Sequence, residues 1–284
     1  MKDVLCYSVD AESPAGVPLA RRYGVTGFPT LLFLEPDGEV RDLIYGFLPA
    51  TPFQTEVARI KRDEETLGHW KRILKATPED LEARWRYALK LKDIQDQKGY
   101  EEQVRWIKQK DPQGKSIGAR TLRFEKLKEV SLETMDFQPV YNFLDAETDE
   151  GLLVDGWFFL FRVESYLADE GDDQSQHRKL QVSAARAMWS HTKSDLQLRV
   201  AGEIAAIFLN NSEGMSDEHK ALLNEVTSAV SKNFPEDALA QALYGDCLYA
   251  LGKREKAITQ LKRALELDPK NAGLRERLSR YERP

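Results

Sequence analysis

Cys6 and Cys247 are the only cysteines in the 284-residue chain, so redox chemistry would have to run through them. Disulfide exchange needs a nucleophilic thiolate with a resolving thiol beside it, and no Cys-x-x-Cys occurs. Cys6 falls in an expected strand, where an inward cysteine behaves as a small hydrophobe. Cys247 falls in an expected helix, with no vicinal thiol or histidine to lower its pKa. The histidines His69, His177, His191 and His219 do not join cysteine at zinc-binding spacing, so no metal and no cofactor are expected. The acidic run Glu170–Gln174 reads as a solvated loop, and carboxylates scattered over helix faces as solubilising charge. A hydrolase or transferase using those carboxylates has little support, since no phosphate-cradling loop or nucleophile–base pair is written in the sequence. No catalytic residue is expected in this chain.

The elements that would position any site change character near residue 51. Before it lie the only convincing strands: "DVLCYSV", "TLLFL" and "EVRDLIYGF", alternating or fully apolar. Glu35-Pro36-Asp37-Gly38 supplies a tight turn between the last two, so a β-hairpin is expected. "SPAGVPLARRYG" reads as a short helix stopped by Gly24. From Thr51-Pro52 onward the pattern is helical, with breaks at Thr77-Pro78, Gln97-Lys98-Gly99, Asp111-Pro112-Gln113-Gly114, Glu170–Asp173, Asn210-Asn211, Asn233-Phe234-Pro235, Gly252 and Asp268-Pro269-Lys270-Asn271. Short turns between successive helices predict stacked antiparallel pairs, an α-solenoid. In "EGLLVDGWFFLFRVESYL" the aromatics Trp157, Phe158, Phe159 and Phe161 point in different directions, so a buried helix is favoured over a docking surface.

Bulk properties bound the function. The chain is 42% hydrophobic and 31% charged with net charge −6, so nothing electrostatic points to nucleic acid. No apolar run approaches the ~20 residues of a membrane helix, and no secretory pattern opens the chain. Cytoplasmic is the default location, and oligomeric state is not readable.

Two stretches carry family resemblances. Ala238–Asn271 resembles a tetratricopeptide (TPR) repeat over its ~34-residue period. Gly245 takes the small position where the two helices cross, Gly252 ends the first helix, Ala257, Leu261 and Ala264 line the second, and Pro269 ends it. Gln241 departs from the usual aromatic, and Tyr244 stands where leucine is common. A degenerate second repeat is expected over Leu81–Asp111, with Ala88 in the small position, Gly99-Tyr100 as the turn, and Trp85, Tyr87, Leu91 and Trp106 as the apolar face. The resemblance implies a concave face carrying Leu239, Ala242, Asp246 and Tyr249, suited to protein or peptide partners. The family's basic clamp for a terminal carboxylate is missing at Leu239, Ala242, Leu243 and Asp246, and Asp246 would repel such a group.

Residues 2–62 resemble the C-terminal part of a thioredoxin-like domain. "VLCYSVDAE" is similar to its central strand, "GVPLARRYGV" to the next helix, "TGFPTLLFL" to the cis-proline segment, "DGEVRDLIYGF" to the final strand and "TPFQTEVARIKR" to the closing helix. The resemblance implies a cis Phe28–Pro29 bond and peptide pairing at Phe28. The redox dithiol would lie upstream of residue 2. Either the chain is the C-terminal portion of a longer redox protein, or its lineage lost the catalytic half; the first is favoured, because a three-stranded remnant leaves an unprotected edge. Pairing of Val4–Val9 directly beside Thr30–Leu34 would rescue it.

The expected architecture is therefore mainly α: a partial thioredoxin-like α/β unit over residues 1–62, then a TPR-like helical domain over 63–284. Two functions are expected from it. One is a TPR scaffold for protein–protein interaction with a non-catalytic thioredoxin-like cap. The other is a thiol-disulfide oxidoreductase whose catalytic half is absent from this sequence. The resemblance is to bacterial proteins found inside the cell and in the envelope.

Overall fold

A computed structural model of the protein describes residues 5–170, 173–193, 196–211 and 214–283. Two compact units divide the chain, Met1–Arg123 and Phe124–Pro284.

The first unit opens with α1 (Gly16–Arg22), followed by Gly24 at φ 64°. β1 (Thr30–Leu34) and β2 (Val40–Tyr45) pair antiparallel as a hairpin. Gly38 sits at φ 85° in its turn, a conformation that glycine adopts without a Cβ penalty. Thr30 faces Tyr45, Leu32 faces Leu43 and Phe33 faces Asp42; Leu34 then pairs with Val40, so Arg41 is the extra residue of a bulge. The expected third strand is not there. Residues 5–10 have no regular structure, and Leu5, Cys6, Tyr7 and Val9 are exposed; Val4 lies outside the described residues. The sheet has two strands, so the segment has no neighbour to hydrogen-bond with and cannot persist as a strand alone.

Four helices complete this unit: α2 (Ala50–Lys61), α3 (Leu67–Ala76), α4 (Leu81–Asp93) and α5 (Gln97–Lys110). Three are started by side chains. Thr66, Asp80 and Asp96 accept from backbone N–H groups one turn on, satisfying donors that have no intrahelical partner. Trp85, Ala88 and Ile107 form the buried contact between α4 and α5, as the degenerate repeat predicts. Its turn falls elsewhere. Gln95, at φ 62°, closes the connection, and Gly99 lies inside α5, where its N–H is held by the Asp96 carboxylate.

The division between units falls within α6 (Ile117–Thr134). Beyond it lie α7 (Gln138–Asp145), α8 (Glu150–Glu170), α9 (Gln174–Ser190), α10 (Gln197–Asn210), α11 (Asp217–Asn233), α12 (Ala238–Ala250), α13 (Arg254–Leu267) and α14 (Ala272–Glu282). α8 packs along α9, and α12 along α13. α8 is a central helix on one side only. Leu160 and Phe161 are fully buried, whereas Trp157, Phe158 and Phe159 are half-buried. Phe161 meets Phe208 edge-on at 5.7 Å between ring centroids, a geometry that adds to plain burial. The described residues are mainly helical, as expected.

Candidate protein-interaction surface

The C-terminal repeat is built around close approach. A Cβ on Gly245 would meet Leu261 at 3.2 Å and the Ala257 carbonyl at 3.4 Å, so glycine lets α12 lie directly on α13. Ala257, Leu261 and Ala264 are fully buried there, and Leu274 and Tyr281 of α14 close the same cluster. A fully buried leucine contributes about 1.5–3 kcal/mol by removal from water, so this seam dominates the repeat's stability.

Of the four residues expected on the partner-facing side, two keep exposed surface. Leu239 is 53% exposed and Tyr249 40%. Tyr249 stacks flat on Tyr281, with centroids 3.7 Å apart. Ala242 is buried in the core cluster. Asp246 accepts from Arg277 Nη1 at 2.7 Å and from the Tyr281 hydroxyl at 2.8 Å, so α14 neutralises the carboxylate. Burial pushes the Tyr281 phenol upward, and the neighbouring Asp246 charge adds to that.

Gln241 explains how the repeat tolerates its departure. Buried, it donates through Nε2 to the carbonyls of Ser231 and Phe234, at 2.9 and 3.1 Å, and its Oε1 accepts from the Ser231 hydroxyl at 2.8 Å. Those carbonyls are the orphan acceptors at the end of α11. The amide thus caps the preceding helix from inside the core.

Two polar networks cross the helices of the second unit, and neither is visible as a motif. Glu164, almost fully buried in α8, accepts from the Tyr141 hydroxyl at 3.1 Å and bonds His177 Nδ1 at 2.6 Å. Gln181 donates to Ser165 at 2.8 Å, and its oxygen meets His219 Nε2 at 2.8 Å. His219 Nε2 therefore carries the proton, and Nδ1 accepts from the Ser216 hydroxyl at 2.7 Å. Burial lowers the His219 pKa, Arg178 lowers it further, and Glu218 opposes them. Ser216 is the N-cap of α11, and its hydroxyl also serves the start of that helix. Packing of separate helices joins 164 to 177 and 181 to 219, so no sequence spacing marks either pair.

In the first unit, the Phe28–Pro29 peptide is cis. Thr30 Oγ1 donates to the Gly27 carbonyl at 2.7 Å, and the Pro29 carbonyl accepts from Gly46 at 2.8 Å. The Phe28 ring is exposed. A separate cleft of ≈ 620 Å³ lies between β2, α2 and α4. Leu43, Ile44, Leu48 and Ile94 wall it, and Asp42 sits at its floor. Asp42 is 1% exposed, bonded to Arg59 Nη2 at 2.7 Å, with Lys90 Nζ at 3.5 Å. Two cations answering one buried carboxylate tie the hairpin to both helices; removing one partner of such a pair typically costs about 3–5 kcal/mol.

The cysteines differ sharply. Cys6 is exposed and Cys247 buried, and burial pushes the Cys247 thiol up despite a hydrogen bond with Thr227. Among the described residues no group of three or more His, Cys, Asp or Glu side chains could hold a metal ion, and no helix is long and apolar enough to cross a membrane.

Paired helices with small residues at their crossings define a helical-repeat scaffold. Within it, residues 245–278 match the family model of the TPR repeat. No curated protein sequence matches the chain. Solved structures resemble it at low identity. A MamA RS-1 double mutant is 19% identical, over 58% of this chain and 85% of the other, with a TM-score of 0.38. YrrB, described as a TPR protein with an unusual peptide-binding site, is 15% identical over 74% and 97%, with a TM-score of 0.41. A thermophilic TPR protein of Thermus thermophilus is 12% identical over 81% and 95%, with a TM-score of 0.33.

Proposed function

We propose that the chain is a TPR-type interaction scaffold that binds a peptide or protein partner through the exposed side of α12. The single observation that carries this reading is the TPR match at residues 245–278, which holds the exposed Tyr249 and the neutralised Asp246, with exposed Leu239 just before it on α12. Repeat arrays use such inner-helix surfaces for partners. With Asp246 engaged by Arg277 and Tyr281, apolar and aromatic contact is the chemistry on offer, and a peptide with apolar anchors is the expected ligand. Selection of a random peptide library on the full chain tests it. Bound peptides should lose at least about tenfold in affinity to Leu239→Glu, a change of roughly 1.4 kcal/mol. Peptides that bind this variant and the parent equally would refute the assignment.

The thioredoxin-like relationship of residues 2–62 is part of the same proposal. It is supported by Tyr23-Gly24-Val25 and by the hairpin that follows Pro29. In this reading Phe28 and Pro29 are a retained peptide-facing loop without a dithiol. The chain itself is expected to give no turnover in an insulin-reduction assay, because exchange needs a second thiol next to an accessible thiolate.

A further inference from the structure

We propose that a cavity among α8, α9, α10 and α11 holds one small monovalent anion, of the size of chloride or formate, against the guanidinium of Arg178. The cavity measures ≈ 30 Å³. A water needs roughly 10–15 Å³ of such space, so it admits about two or three waters, or one anion of about one to three heavy atoms. Its lining mixes apolar Phe208 and Met215 with polar Gln181, Asn211 and His219. It shares no residue with the α12 surface.

Arg178 is the group with unused capacity. Half-buried on α9, it donates from Nη1 to the Gly214 carbonyl at 2.8 Å, and it forms no ion pair with any described residue. A carbonyl answers one of the five N–H donors of a guanidinium and none of its permanent charge. Charged side chains leave water only when something answers the charge. Asp169 also lines the cavity, but it is exposed and accepts from Asn211 Nδ2 at 2.9 Å. The remaining polar side chains engage one another: Gln181 bonds Ser165 and His219, and His219 bonds Ser216. The Arg178 charge reaches its neighbour, since after burial it is the next cause that holds the His219 imidazole below its ordinary range. Sulfate and hydrogen phosphate are too large for the volume, and their double charge is repelled by Asp169. An anion bound only by the folded chain stabilises it by mass action.

The test uses the full chain at constant ionic strength, with a bulky sulfonate salt replaced stepwise by sodium chloride or sodium formate. Urea unfolding at each step gives the folded-to-unfolded equilibrium constant. Above the anion's dissociation constant, each tenfold rise in chloride or formate should raise that constant about tenfold. Arg178→Gln should abolish this response while keeping the parent's circular dichroism spectrum. Generic salt effects act on parent and variant alike, so the difference between them reads the site. In the parent, protein should broaden the chloride NMR signal, and formate should sharpen it again where sulfate does not. That measurement decides the matter even if Arg178→Gln fails to fold. A parent insensitive to both anions, an equal response in Arg178→Gln, or a chloride signal that formate does not sharpen would each overturn the proposal.

Discussion

Gln241 shows how one unexpected side chain can be settled by its surroundings. An aromatic at this position would fill space. The amide instead fills it while serving the carbonyls of Ser231 and Phe234. Replacing Gln241 with Leu keeps the volume and strands those acceptors, so stability should fall by about 1–3 kcal/mol, read from urea denaturation. His219 makes a pH-dependent contribution with a definite sign. Its pKa in the folded protein lies below the usual 6.5, so on acidification the unfolded chain takes up the proton first. The stability it contributes is complete above that unfolded value and is lost as pH falls below it towards the folded one. The parent should therefore weaken more steeply than His219→Gln when urea midpoints are followed from about pH 7.5 to pH 5. A parent and variant with parallel profiles would contradict the neutral, buried imidazole.

Among the elements, those with a chemical stop signal are where the sequence puts them. Pro112, Pro235, Gly252 and Pro269 all end or follow helices within a residue or two of the expected breaks. The turns that escape notice are closed by Asp63, Gln95 and Met135 at φ 57°, 62° and 56°. Each is a non-glycine residue in the left-handed region, a placement that costs about 1–2 kcal/mol and that packing must hold. Composition cannot announce it. In α14, Leu274 and Tyr281 cover the α12–α13 seam, and Arg277 and Tyr281 neutralise Asp246. Truncation after Asn271 should lower the thermal midpoint by several degrees and raise light scattering on heating, because it bares Ala257 and Leu261 and leaves Asp246 unpaired. An unchanged midpoint would contradict a stabilising role for α14.

For the molecule as a whole, one compact unit runs to Arg123, within α6, and the second runs from Phe124 onward. The hairpin and its turn are legible in the sequence, since proline, glycine and an apolar run act through their own backbones, whereas the cis Phe28–Pro29 bond was expected only from the family resemblance. The strand expected at "DVLCYSV" was not legible, because alternation states only which face a strand would bury. Whether it forms depends on a neighbour that donates and accepts its hydrogen bonds. The same distinction governs the candidate surface. Gly245, Ala257 and Ala264 announced the helix crossing in their sizes alone. That Asp246 is neutralised was decided by α14 folding back, and Leu239 and Tyr249 stay exposed. Sequence by itself determined helices, their short-range stops and the repeat, all of which are set by local sterics and periodicity. Tertiary structure alone decided which polar groups meet and which apolar ones stay bare, because those contacts join residues tens of positions apart.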